Sequence, residues 1–173
     1  SYFNYIKNGD ELTVSPVHAG AHASIVNFVR DWWPVEGIAV YYQIDMLRRK
    51  GLISETMMKK EFAAHLAYHQ ANISVTGNDY VLKDFAFSSD ACTNFRIAYI
   101  KGALIFYALN ETIKEISNGK SELIDSFTIL FRMLKEGYSN EYSTFIMALN
   151  SLTGRDFQEF FEKYVYGTEP LPL

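Results

Sequence analysis

Two histidines, His18 and His22, stand four positions apart in the stretch His18-Ala19-Gly20-Ala21-His22. On a helix this spacing sets both imidazoles on one side, one turn apart, with Cβ atoms roughly 5–6 Å from each other and within reach of a single metal ion. Glu36 follows a break at Trp33-Pro34, where a second helix can start, so its carboxylate can face back across the turn. Two imidazoles and one carboxylate make the ligand set of a catalytic zinc centre. The other reading is a vestigial site in which the histidines are simply packed and hydrogen-bonded.

The elements that must position these residues are helices. Ser15-Pro16 supplies an N-cap and a first-turn proline for a helix carrying His18 and His22 to about Arg30. Along it His18, His22, Ile25 and Val29 form one stripe, which turns both imidazoles inward. A second helix is expected over about Val35 to Lys50, closed by Gly51, with Arg48-Arg49-Lys50 complementing its C-terminus. A third runs from a cap at Ser54 to about Ala71, with Met58, Phe62 and Leu66 facing the core.

The segment 72–93 then reads as a long irregular stretch of the kind that covers substrate sites. From about Asn94 to Ser117 a fourth helix is apolar nearly all round, interrupted by Lys101. Three more are expected: one capped by Ser121 and stopped at Gly137, one from Ser143 to Leu152, and one opened by an Asp156/Glu159 capping box that ends near Gly167. Ahead of them all, Phe3–Ile6 and Leu12–Val14 flank an Asn8-Gly9 turn and read as a short β-hairpin. The fold expected is mainly α, a bundle of about seven helices with that hairpin, in one domain over residues 1–173.

Composition narrows the partners. The chain has 173 residues, enough for one substantial core, and its 49% hydrophobic and 16% aromatic content marks a folded body. A net charge of −4 without a basic face argues against nucleic acid. The apolar run Ile97–Leu109 is too short to span a membrane. The one cysteine, Cys92, requires no oxidising compartment and reads as a buried thiol, so the cytoplasm is the expected location. A first residue of Ser points to a trimmed or processed chain that is part of a larger protein.

The order of several short motifs resembles one family. His18-x-x-x-His22, Trp32-Trp33, Glu36-Gly37 and Tyr41-Tyr42 are similar to the zinc helix and downstream Trp-x-x-Glu-Gly-x-x-x-Tyr segment of the gluzincin aminopeptidases. The likeness continues through Gly51-Leu52-Ile53-Ser54, Tyr99-Ile100-Lys101-Gly102-Ala103-Leu104, Gly119-Lys120, Leu152-Thr153-Gly154 and the tail from Phe160 to Leu173. It covers nearly all of the chain after His18 and is closest to the glycyl aminopeptidase branch, related to the alanyl type.

The resemblance implies a helical subdomain like that of thermolysin-like zinc peptidases, with zinc held by His18, His22 and Glu36. It assigns Tyr99 the hydrogen bond to the tetrahedral oxyanion, a kind of contact worth about 2.7–4 kcal/mol. It also implies a peptide substrate or ligand, and a β-rich N-terminal portion of the same protein that is missing from this chain. One position departs from the pattern: where the family carries its general-base glutamate, this chain has Ala19. Losing that carboxylate removes a role worth about 10²–10⁴ in rate, so the implied enzyme is weakly active or inactive. The alternative from another class is a noncatalytic peptide-binding or scaffolding module on the same fold.

Three further features have plainer readings. His65 and His69 repeat the four-residue spacing without a third ligand and are expected as partly exposed helix histidines. Trp32 and Trp33 are expected to pack at a corner. Gly102 permits close approach of another helix whatever the function.

Overall fold

The structure, a computed structural model, describes residues 32–83 and 96–173. The expected hairpin, the helix bearing His18, Ala19 and His22, and Cys92 lie outside the described residues. Within them the chain is mainly helical and has no strand. In order come α1 (Trp32–Arg49), α2 (Glu55–Thr76), α3 (Arg96–Ile116), α4 (Leu123–Lys135), α5 (Tyr142–Thr153) and α6 (Gln158–Tyr164).

Several helix ends differ from the expected ones for local reasons. Trp33-Pro34 does not break the chain; it lies in the first turn of α1, where a proline withholds only an N–H that has no intrahelical acceptor. The polar run after Ala71 reads as loop, yet α2 continues to Thr76. There the Ser74 and Thr76 hydroxyls donate to the Gln70 and Asn72 carbonyls one turn back, so they do not compete for the helix. Gly77, at φ 72°, then supplies the left-handed residue that stops it. α4 is capped by Glu122 rather than Ser121, with the Asp125 carboxylate accepting from the Glu122 N–H. At α6 the expected Asp156/Glu159 box does not form: Phe157 is the N-cap residue, and the Asp156 carboxylate accepts from the Gln158 N–H instead.

α3 is the hub. Its residues Ala98 and Ala103–Leu109 are buried, because α1 covers one side of it and α2 another. α1 runs in the same direction as α3: Gly37 lies against Gly102, and farther along Arg48 and Lys114 meet at Glu122. α2 runs the opposite way, with Glu55 near Lys114 and Phe62 stacked on Tyr107 at 4.1 Å between ring centroids. The rest of the core is largely aromatic, built on Trp33, Phe106, Phe145 and Phe161, and the Trp33 indole N–H donates to the Tyr142 hydroxyl at 2.9 Å.

The Arg48-Arg49 pair does more than complement a helix end. Asp45, fully buried, accepts from both guanidiniums at 2.6–2.9 Å, and both also reach Glu122 at the start of α4. A carboxylate at that depth needs such partners to remain charged.

Candidate active site

Two of the residues singled out in the sequence, Glu36 and Tyr99, come together across the contact between α1 and α3. What brings them together is a pair of glycines. A Cβ added to Gly37 would lie 2.5 Å from the carbonyl carbon of Gly102 and 2.6 Å from its Cα, and one added to Gly102 would lie 2.9 Å from the Trp33 carbonyl oxygen. The two backbones therefore touch, which no side chain at either position would allow. Glu36 precedes one glycine and Tyr99 lies one turn before the other, so their side chains share the rim of this crossing.

Glu36 is only 7% exposed, unusual for an acidic residue unless it is partnered. Tyr99, half-buried, donates its hydroxyl to the Glu36 carboxylate. Burial, the neighbouring Glu36 charge and that hydrogen bond together push the phenol up to about 12 from its ordinary 10.0. Tyr99 is thus a firm hydrogen-bond donor throughout the neutral range. A held carboxylate beside a phenol that keeps its proton is an arrangement able to bind a cation on one group and steady a developing oxyanion with the other.

Glu36 is a hard oxygen donor in a largely buried position, and in that respect it suits zinc. The other two candidate ligands, His18 and His22, lie outside the described residues. Among the described residues no group of three or more His, Cys, Asp or Glu side chains is arranged to hold a metal.

His65 and His69 correct the sequence reading, because both are buried rather than partly exposed. Both have a polar partner, His65 on its own helix and His69 on the turn that follows it. The His65 Nδ1 lies 2.6 Å from the Glu61 carbonyl oxygen, and burial moves its pKa below the ordinary 6.5. The His69 Nε2 lies 3.4 Å from Asp79, whose other carboxylate oxygen is 2.9 Å from the Lys101 ammonium. Lys101 also donates to the Tyr80 carbonyl at 2.7 Å.

That cluster was not anticipated as a unit. Its signal was a lysine in the middle of an otherwise apolar helix, since such a charge must find a carboxylate, and Asp79 is the acidic residue of the turn that follows α2. Of the two tryptophans, Trp33 packs in the core as expected. No helix among the described residues is long and apolar enough to cross a membrane. Comparison with protein-family models, with curated proteins and with solved structures gives no match to this chain.

Proposed function

We propose that this chain is the helical part of a zinc metallopeptidase-like domain of the aminopeptidase type, nearest the glycyl aminopeptidase branch. Its His18-Ala19-Gly20-Ala21-His22 motif is degenerate, so it binds the metal without turning over peptides efficiently. The observation that carries this reading is the Glu36–Tyr99 contact. The resemblance assigns these two residues, far apart in sequence, to one site, and they meet across a glycine crossing that the same motifs supply.

In this reading His18, His22 and Glu36 hold the ion, which when bound polarises a peptide carbonyl and acidifies a water. Tyr99 gives its hydrogen bond to the substrate oxygen. Ala19 offers no carboxylate to receive the proton, and the peptide-binding strands belong to a β-rich portion beyond this chain. A bound peptide is cleaved slowly or not at all, whereas the alternative, a noncatalytic peptide-binding or scaffolding module on the same fold, lacks the metal and cleaves nothing.

Titration with Co²⁺, followed by visible absorption, tests the reading. The d–d bands of a low-coordinate site should develop with wild type and be lost with His18→Ala. If no such bands develop in wild type, the site is vestigial and the scaffold alternative holds.

A further inference from the structure

We propose that the buried Lys101–Asp79 pair is a register lock: it fixes which turn of α3 lies against Gly37 and so keeps Tyr99 level with Glu36. The lock acts through the contact between these helices and involves neither zinc nor hydrolysis. On α3, Tyr99 and Gly102 lie on the face toward α1, while Lys101, about 200° from Tyr99 at 100° per residue, reaches the Asp79 carboxylate and Tyr80 carbonyl on the far side. The helix is gripped from both sides.

The glycine crossing does not set the register alone. One turn before Gly102 on the same stripe is Ala98, also buried and only one methyl group larger. One turn after it is Phe106, which cannot enter. A shift of α3 that brings Ala98 to Gly37, with the helices parted enough to take one methyl group, is therefore the nearest competitor. It moves every residue of α3 by about 6 Å along the axis, and Tyr99 leaves Glu36.

Apolar side chains along α3 exchange one hydrophobic environment for another in such a slip. Lys101 cannot. It is 0% exposed, and the same shift carries its ammonium away from both acceptors and leaves a charge in the apolar interior. Asn110, the other buried polar residue of α3, holds the same register farther along the helix by accepting from the Leu123 N–H at 3.0 Å; buried polar groups that specify register among otherwise interchangeable apolar contacts are the device used at the core of coiled coils. Asp79 is itself held in place, accepting from the Tyr80 N–H at 2.8 Å and facing His69 of α2. The amides of Leu82 and Lys83 fasten the same segment to the Val165 carbonyl.

The test removes the charges while keeping the shapes. Spin labels at Lys50→Cys and Arg96→Cys, in a Cys92→Ser background, sit at exposed positions at the end of α1 and the start of α3. Their separation shortens if α3 slides toward the Ala98 register. Double electron-electron resonance on the otherwise unaltered chain should give one distance. Lys101→Met/Asp79→Asn, which keeps an acceptor for Tyr80 and His69, should add a second population shorter by about 5 Å. Met58→Ala, a core truncation that lowers stability without touching the lock, should keep the single distance. Should the double variant not fold, Lys101→Gln/Asp79→Asn, equally free of charge, replaces it and is read in the same way. A single unchanged distance in the folded charge-free variant overturns the proposal.

Discussion

The Tyr99 hydroxyl donates to the Glu36 carboxylate at the rim of the Gly37–Gly102 crossing. Because Glu36 supplies both the charge and the acceptor that hold the phenol proton, Glu36→Gln should lower the ionisation midpoint of Tyr99 from about 12 toward 10.0 without restoring the ordinary value, since burial remains. Ring-labelled tyrosine NMR, with the Tyr99 signal assigned by Tyr99→Phe, measures this. A midpoint unaffected by Glu36→Gln would show that the two side chains are not in contact.

The glycine crossing gives a steric prediction. Gly37→Ala places a methyl group against the Gly102 backbone, which has no flexible side chain to yield, so the helices must part. Overpacking of this kind costs about 1–3 kcal/mol, and Gly102→Ala against the Trp33 carbonyl should cost a similar amount. Urea unfolding measures both. A neutral result for Gly37→Ala would mean that the backbones are not in contact.

Tyr41 behaves in the opposite way. Its hydroxyl is buried and has no hydrogen-bond partner among the described residues, so folding strips it of water without replacement. An unsatisfied hydroxyl costs about 1–3 kcal/mol. Tyr41→Phe keeps the ring contacts with Tyr42 and Phe62 and should leave stability unchanged or raise it by about 1 kcal/mol. A loss of more than about 1 kcal/mol, the net worth of an ordinary hydrogen bond, would reveal a partner for the hydroxyl.

Acid should weaken the fold in two windows. His65 has its pKa lowered by burial, so below 6.5 the unfolded chain takes up this proton before the folded one, and stability falls as pH drops from 6.5 toward the folded value. Asp79 responds to opposing causes. Burial pushes it up, but the His69 hydrogen bond and the Lys101 charge outweigh burial and hold it below 3.8, so its contribution, intact above 3.8, is lost as pH falls through the folded value. Thermal unfolding at a series of pH values should show both declines. His65→Gln should flatten the one nearer neutrality and leave the other, and a slope indifferent to His65→Gln would contradict the assignment.

The helical architecture was legible in the sequence because its signals are local. Gly51, Gly77 and Gly154 take up left-handed conformations, and the apolar run around Leu104 can only be a buried helix. The helix ends were less legible, since Ser74 and Thr76 look like loop residues until their hydroxyls are seen bonding one turn back. For the site, Glu36, Gly37, Tyr99 and Gly102 were marked by order and spacing, and the crossing that joins them depends on backbone approach. Burial of His65 and His69 was missed because spacing alone does not say which face of a helix is covered. The Asp45 cluster was missed because its acceptor Glu122 is remote in sequence.

The proposed site stands or falls with Glu36 as a metal ligand together with His18 and His22. Calorimetric titration with Zn²⁺ at neutral pH, on wild type, His22→Ala and Glu36→Ala, is the most direct measurement. Uptake by wild type should be saturable at about one ion per chain, weakened about tenfold or more by either substitution, and weakened again below about pH 6, where protons compete for imidazoles. Absence of uptake by wild type at micromolar zinc, or uptake indifferent to both substitutions, would contradict it.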